Sequence, residues 1–391
     1  MVAPAISMKI ALITDGVMPY VLGGMQRYST MLAQEFVKQG VELHLFHTVR
    51  NRNLEADAGK LKGMEEWLKN SVHAHFIPFP EESKLPGHYI RELHVYSQKA
   101  LARFREVCAD CDFIYAQGLT GLAFAEARKN GSLRIPVGVN VHGYEMFQYA
   151  ANTRERIAHY MLRPSFSRLN RNADYVFSFP GKIRAIVENK LNVPPSRILE
   201  IPNAVGDDWL LTDARVASGK CRFLFVGRYE RRKGIEELAG AIRSFRDPHV
   251  EFHFVGPIEK EKQLPDVRCI YHGKVTETHA LKALYDRCDV LLCPSYAEGM
   301  PTVILEAMSR GLAIIATDVG ATAEVVSEKN GILLDSPSID RIADAIQEIS
   351  RVTPEAMLAM KRCSLNKIRA YTWDMISRRI IDSIKLIIDS Q

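Results

Sequence analysis

Short runs of apolar and β-branched residues alternate along the chain with longer segments whose apolar positions recur every three or four residues. The first half carries such runs at Ile10 to Ile13, Leu43 to Phe46, Phe113 to Ala116, Val137 to Val141 and Val176 to Phe179. The second repeats the theme at Arg222 to Val226, Phe252 to Val255, Val290 to Cys293, Ala313 to Thr317 and Ile332 to Leu334. Strand-like runs alternating with helical patterns are the signature of βαβ units and parallel sheets. The fold class expected is therefore α/β, with two doubly wound, Rossmann-like domains. The boundary is placed near Ile201-Pro202-Asn203, where a β-like run ends and a polar stretch leads to Lys220. At the far end, Ile376, Ile380, Ile384 and Ile387 form a stripe at helical spacing that must dock on another element. One domain is expected over residues 1–204 plus the returning helix 372–391, the other over residues 205–371.

Composition supports this picture. The 391 residues exceed what one core usually organises, since domains settle near ~100–200 residues. Apolar residues make up 47% and charged residues 25%, a globular rather than a disordered balance. Seven scattered cysteines, with no apolar leader segment, argue against a disulfide framework and for the cytosol. Met1 to Ser7 are set aside from the fold, with Met8-Lys9 a second start. No run of ~18 apolar residues occurs, so no membrane-spanning helix is expected. The net charge of +5 divides into +6 over residues 1–205 and −1 over the remainder. A basic half could meet an anionic surface, and solvated lysines would give the same asymmetry.

Ligands of open α/β sheets collect at the carboxyl ends of strands, and three segments there carry chemistry. After the first strand comes Asp15-Gly16-Val17-Met18-Pro19-Tyr20-Val21-Leu22-Gly23-Gly24. Gly23 and Gly24 open a helix, where backbone N–H groups can approach an anion; an ordinary tight turn would look the same. After the first strand of the second half comes a basic loop framed by Gly227 and Gly234. In it Arg228 can fork onto phosphate oxygens and Lys233 adds a point charge, a pair suited to a diphosphate. Arg231 and Arg232 are expected to face solvent. The third segment runs from Ser295 through Glu298-Gly299-Met300-Pro301 to Glu306-Ala307-Met308. With Pro301 at the first helical position and Gly311 at the end, a helix is expected over 301–310. Glu298 then precedes the helix and Glu306 lies inside it among apolar residues, needing a partner such as a ligand hydroxyl or a structural donor. His142 follows the strand at Val137 to Val141, with Glu145 three residues on.

Glu298 and Glu306, seven residues between them, in the frame Ser-Tyr-Ala-Glu-Gly-Met-Pro through Leu-Glu-Ala-Met, resemble the signature of the retaining GT-B glycosyltransferases of family 4. Arg228 with Lys233, and Gly23-Gly24, fall where that family contacts a diphosphate. The resemblance spans nearly the whole chain and is strongest over 222–326. It implies a GT-B fold, two Rossmann-like domains facing a central cleft. It also implies transfer of a hexose, with retention, from a UDP- or GDP-linked sugar to a glycan or lipid-linked acceptor, in polysaccharide or lipopolysaccharide assembly. On this resemblance Glu306 holds the ribose hydroxyls, while Glu298 and the backbone of Gly299, Met300 and Pro301 hold the transferred sugar. Arg228 and Lys233 neutralise the leaving diphosphate, Gly23 and Gly24 approach it from the other half, and His142 contacts the sugar. Arg228, Lys233, Glu298 and His142 form the expected catalytic set, with no cofactor, metal or nucleic acid. Asn203 is expected to be a hinge.

Gln26, where many relatives have Glu, and Ala321, where many have Gly, depart from the family pattern. Cys108 and Cys111 have redox spacing but no second pair, and a structural role is expected. Asp207-Asp208 lacks a third ligand and is not read as a metal site. Ile90, Leu93, Ser97, Leu101 and Phe104 form a stripe beside Arg91, Lys99, Arg103 and Arg105, and Arg154, Arg156, Arg163, Arg168 and Arg171 add charge further on. The first stretch fits peripheral membrane contact; an anionic glycan or lipid-linked acceptor would explain both stretches, and a plain solvated surface would explain them equally. Competing functions are a nucleotide-sugar epimerase or hydrolase on the same fold, and a non-catalytic nucleotide-sugar binding module.

Overall fold

The computed structural model of the chain describes residues 8–18, 20–21, 23–49, 71–80, 87–215 and 219–390. Residues 1–7, expected to stand outside the fold, and Pro19 and Leu22 of the glycine loop lie outside the described residues. Among the latter, seven parallel strands form the first sheet: β1 (Lys9–Ile13), β2 (Glu42–His47), β3 (Val72–Phe76), β4 (Phe113–Gln117), β5 (Val137–Asn140), β6 (Tyr175–Ser178) and β7 (Ile198–Glu200). Their order is β3-β2-β1-β4-β5-β6-β7. The second sheet holds β8 (Cys221–Val226), β9 (Val250–Val255), β10 (Cys269–Tyr271), β11 (Val290–Cys293), β12 (Ala313–Thr317) and β13 (Gly331–Leu334), in the order β10-β9-β8-β11-β12-β13. Both sheets are doubly wound. The edge strands β3, reading Val-His-Ala-His-Phe, and β10, reading Cys-Ile-Tyr, are absent from the expected runs because they are too short or too polar to signal. The central strands are covered on both faces and read as nearly unbroken apolar runs.

Six helices bear on the site: α1 (Gly24–Lys38), α2 (His88–Val107), α3 (Thr153–Asn172), α4 (Ile235–Ser244), α5 (Thr302–Ser309) and α6 (Trp373–Asp389). Trp373, Ile376, Ile380, Ile384 and Ile387 of α6 are buried in one cluster with Tyr28, Leu32 and Phe36 of α1. Each fully buried isoleucine contributes roughly 1.5–3 kcal/mol, which seats the last helix on the first half of the chain. The chain passes between the two halves twice, and the passages lie side by side. Val205 N–H donates to Tyr371 O at 2.9 Å and Trp373 N–H to Val205 O at 3.1 Å. On α2, Leu93, Tyr96, Ser97, Leu101 and Phe104 are buried, so the stripe weighed as membrane-facing is turned to the core. Cys108 and Cys111 are buried free thiols.

In each sheet the winding reverses, between β1 and β4 and between β8 and β11. A crevice opens beyond the carboxyl ends of strands at such points, and the two crevices face one another.

Candidate active site

The second half contributes the charged wall. The loop after β8 forms a tight turn over Arg231–Lys233 and then enters α4 through its capping residue Gly234, whose φ is 65° and where a Cβ would overlap the Pro294 carbonyl. Glycine alone lets this basic turn sit directly against the end of β11. Lys233 Nζ donates to Glu298 Oε1 at 2.6 Å, and Ser295 Oγ donates to the same oxygen at 2.8 Å. Arg232 is not solvated as expected: its guanidinium lies 3.3 Å from Glu298 Oε2 and donates to Ala297 O at 3.0 Å. Arg231 also departs from expectation, bonding Glu237 at 2.6 Å under the ring of Tyr296. Successive residues of a three-per-turn helix point about 120° apart, so Arg231 turns to Glu237 while Arg232 and Lys233 reach the two oxygens of Glu298. Burial pushes the Glu298 carboxyl up, but Lys233 and Arg232 outweigh it and hold the group below its ordinary range. Arg228 is 73% exposed, its guanidinium 2.9 Å from Glu230, and it projects into the cleft.

Glu306 sits on α5, which runs from Thr302 to Ser309 with Pro301 as the capping residue, one position inside the expected start. Gly311 follows the C-cap at φ 69°. Glu306 is buried, and its partners come from both halves: Arg27 Nη1 donates to Oε1 at 2.8 Å and Tyr285 Oη to Oε2 at 3.0 Å. Burial raises its carboxyl above the ordinary range, and Arg27 with Tyr285 offsets that only in part.

The first half presents His142, just beyond β5, in the left-handed region at φ 68°, with Tyr144 at φ 53°. Such conformations cost of order 1–3 kcal/mol each and are held by their surroundings. Here the His142 N–H bonds Asn140 Oδ1 at 3.0 Å, and Nε2 donates to Gln117 Oε1, at the end of β4, at 2.6 Å. Burial brings the His142 pKa down to about 3, so the ring is a neutral imidazole at working pH. Gly23 caps α1 and Gly24 begins it; a Cβ on Gly24 would meet nothing within 4 Å, so its N-terminal face is open to the cleft. Gln26 Nε2 donates to Asp15 Oδ1 at 2.7 Å, a contact that a glutamate would turn into a carboxylate pair. Ala321 has φ −102° and needs no glycine, since Gly320 takes the left-handed position at φ 58°.

These walls enclose two adjoining lobes of about 650 and about 630 Å³ that share Gly24, Tyr28, Asn203 and Thr302. Gly23, Arg27 and Glu306 line the first; Arg228, Lys233, Glu298, Gly299, Met300, Pro301, His142 and Glu145 line the second. Asn203, expected as a hinge, also holds the Met300 carbonyl through Nδ2 at 3.0 Å. The halves touch across the cleft: Gln148 Nε2 donates to Glu298 O at 2.7 Å, and a Cβ on Gly299 would overlap the His142 carbonyl. Gly299→Ala is therefore expected to hold the halves apart, leaving the melting temperature nearly unchanged while cutting turnover at least tenfold. Small-angle scattering should show the opened form, and an unchanged radius of gyration with full turnover would refute the contact.

Two family profiles match the chain, "Glycosyltransferase Family 4" over residues 22–209 and "Glycosyl transferases group 1" over residues 220–351. The chain belongs to the family 4 glycosyltransferases, with the GT-B fold. It is 35% identical over 123 residues to the putative teichuronic acid biosynthesis glycosyltransferase TuaC of Bacillus subtilis, covering 32% of this chain and 31% of that one. It is 25% identical over 268 residues to the putative colanic acid biosynthesis glycosyltransferase WcaL of Salmonella typhimurium, covering 63% of each. Each alignment thus spans less than two thirds of the relative's length. Among solved structures, sucrose-phosphate synthase of Thermosynechococcus elongatus superposes with a TM-score of 0.80 at 19% identity, over 98% of this chain and 100% of that one. Anabaena HepE in complex with UDP and glucose superposes at 0.69 and 16% identity, over 97% and 99%. For this family 4 chain, sequence reasoning missed Arg27, Arg232, Gln117, Gln148 and Tyr285. Arg27 lies one helical turn after Gly23-Gly24, a spacing that could have placed it on the cleft. Tyr285 and Gln117 carry no sequence signal, since their relevance arises from strands and helices that meet only in space.

Proposed function

We propose that the chain is a retaining glycosyltransferase that moves a hexose from a UDP- or GDP-linked sugar to a glycan or lipid-linked acceptor, in cell-surface polysaccharide or lipopolysaccharide assembly at the cytoplasmic side of the membrane. The observation that carries this reading is the gathering of Arg228, Arg232 and Lys233 around one lobe while Glu306 waits, buried, in the next. Cations suit a diphosphate, and a buried carboxylate suits vicinal ribose hydroxyls. The relatives named for teichuronic and colanic acid, and HepE with its UDP and glucose, favour a nucleotide-sugar donor and a polysaccharide product.

In the reaction the bond from the anomeric carbon to the diphosphate oxygen breaks, and Arg228 and Lys233 stabilise the negative charge that develops on that oxygen. The acceptor hydroxyl attacks from the same face and passes its proton to the departing phosphate, so the anomeric configuration is kept. His142, oriented by Gln117 and kept neutral by burial, orients a sugar hydroxyl and gives up no proton. No helix among the described residues is long and apolar enough to cross a membrane. On α3, however, Ile157, Tyr160 and Met161 are exposed beside Arg154 and Arg156, while Leu162 and Phe166 line the cleft. An apolar and basic helix reaching from the cleft to the surface favours an acceptor held on a lipid.

A thermal-shift screen against UDP, GDP and ADP and their hexose derivatives tests this function. One nucleotide is expected to stabilise the protein, by about 2.7 kcal/mol at a hundredfold excess over Kd, with the effect lost in Glu306→Ala and Arg228→Ala. A folded protein that responds to none of them would remove the transferase reading.

A further inference from the structure

Near the amino ends of the first sheet's strands, away from the cleft, charged and imidazole groups gather on one face of the edge pair. Parallel register sets His44 of β2 beside His73 of β3, and Phe46 beside His75. Glu42, two residues before His44, shares that face. Ligand atoms of Glu42, His44 and His73 all lie within 4.8 Å of one another. His44 Nε2 is 3.7 Å and His73 Nε2 is 4.0 Å from Glu42 Oε1, and the two rings are stacked with centroids 4.6 Å apart. The remaining nitrogen of His44, Nδ1, is engaged by His75 Nε2 at 3.1 Å.

We propose that Glu42, His44 and His73 form a zinc-binding site that ties the edge strand β3 to β2. Two imidazoles and a carboxylate are a donor set zinc takes, with water in a fourth position. Donors ~2.1 Å from a tetrahedral ion stand ~3.4 Å apart, so the gaps close with small rotations of the partly exposed Glu42 and His73. His75 does for His44 what metal-bound histidines require, holding the second ring nitrogen and fixing the tautomer. Lys9 Nζ is 3.5 Å from Glu42 but 2.7 Å from Asp110, so it keeps a partner when the ion takes Glu42. The second sheet supplies an internal contrast. There Glu251 and His253 lie on β9 and His272 follows directly after β10, with His253 Nδ1 and His272 Nε2 3.0 Å apart, but Ile270 pairs with His253 where His73 pairs with His44. That pair lacks the third ligand.

The test uses the full chain without a polyhistidine tag, stripped by chelator and titrated with zinc chloride by calorimetry, with bound metal counted by mass spectrometry. About one zinc per chain is expected, with a rise in melting temperature at excess zinc. Both are lost in His73→Ala and in Glu42→Gln and kept in His272→Ala. His73 is 59% exposed, so its variant should melt like the parent when metal-free, which separates lost binding from lost fold. A parent chain that takes up no zinc overturns the proposal. So does zinc retained by His73→Ala, which would place the ion elsewhere, for example on Cys108 and Cys111.

Discussion

Lys233→Ala is expected to lower turnover of the donor sugar by about two to three orders of magnitude, the usual effect of deleting one group that stabilises transition-state charge. Arg228→Ala is expected to match it in turnover but not in stability, and the contrast follows from surroundings. Arg228 is largely solvated and paired only at the surface, so its loss should change stability by no more than about 0.5 kcal/mol. Lys233 instead bonds a buried carboxylate. Breaking one side of such a pair costs about 3–5 kcal/mol, and the lower end is expected because Arg232 and Ser295 remain on Glu298. Release of nucleoside diphosphate, followed by chromatography beside calorimetric melts, measures both quantities. Full turnover in Arg228→Ala would remove it from the chemistry, and an unchanged melt in Lys233→Ala would mean that Glu298 is not held as described.

Glu298→Gln and Glu306→Gln should shift stability in opposite directions. The Glu298 carboxyl is held below its ordinary pKa. Its contribution is therefore fully present above the ordinary carboxylate range and is lost as pH falls through the lower, folded value. The Glu306 carboxyl is held above its ordinary pKa. The folded state then binds the proton more tightly than the unfolded one, so stability is lost as pH rises from the ordinary value through the raised one. At pH 7, then, Glu298→Gln lowers the melting temperature and Glu306→Gln raises it. The difference between the variants should shrink as the buffer is acidified. Glu306→Gln nonetheless weakens nucleotide binding, by about tenfold or more, since a hydrogen bond to a charged acceptor contributes roughly 1.5–3 kcal/mol. A more stable but weaker-binding protein marks a carboxylate retained for a ligand. Loss of stability in both variants would show that Glu306 is a structural partner of Arg27 and Tyr285.

The helix Thr302–Ser309 was legible almost to the residue, because Pro301 and Gly311 act locally through fixed φ and missing Cβ. The strands with apolar runs were legible for a related reason, as burial on both faces leaves one kind of side chain. Glu298 and Glu306 stood out as polar residues where the pattern demanded apolar ones, and Lys233 and Arg228 stood out by their place after a strand. β3 and β10 were not visible, since edge strands bury little and their composition is free. Arg232 was misjudged because neighbours in sequence say nothing about which way a tight turn points a side chain.

By itself, then, the sequence determined the alternation of elements, the two sheets and the positions of the charged loops, since each depends on local propensity and on the periodicity of burial. The tertiary structure alone decided that Arg27 reaches Glu306 from the other half and that Gln117 holds the ring of His142. Those contacts join residues tens to hundreds of positions apart, and their energy depends on distances and burial that exist only once both sheets have formed and faced each other.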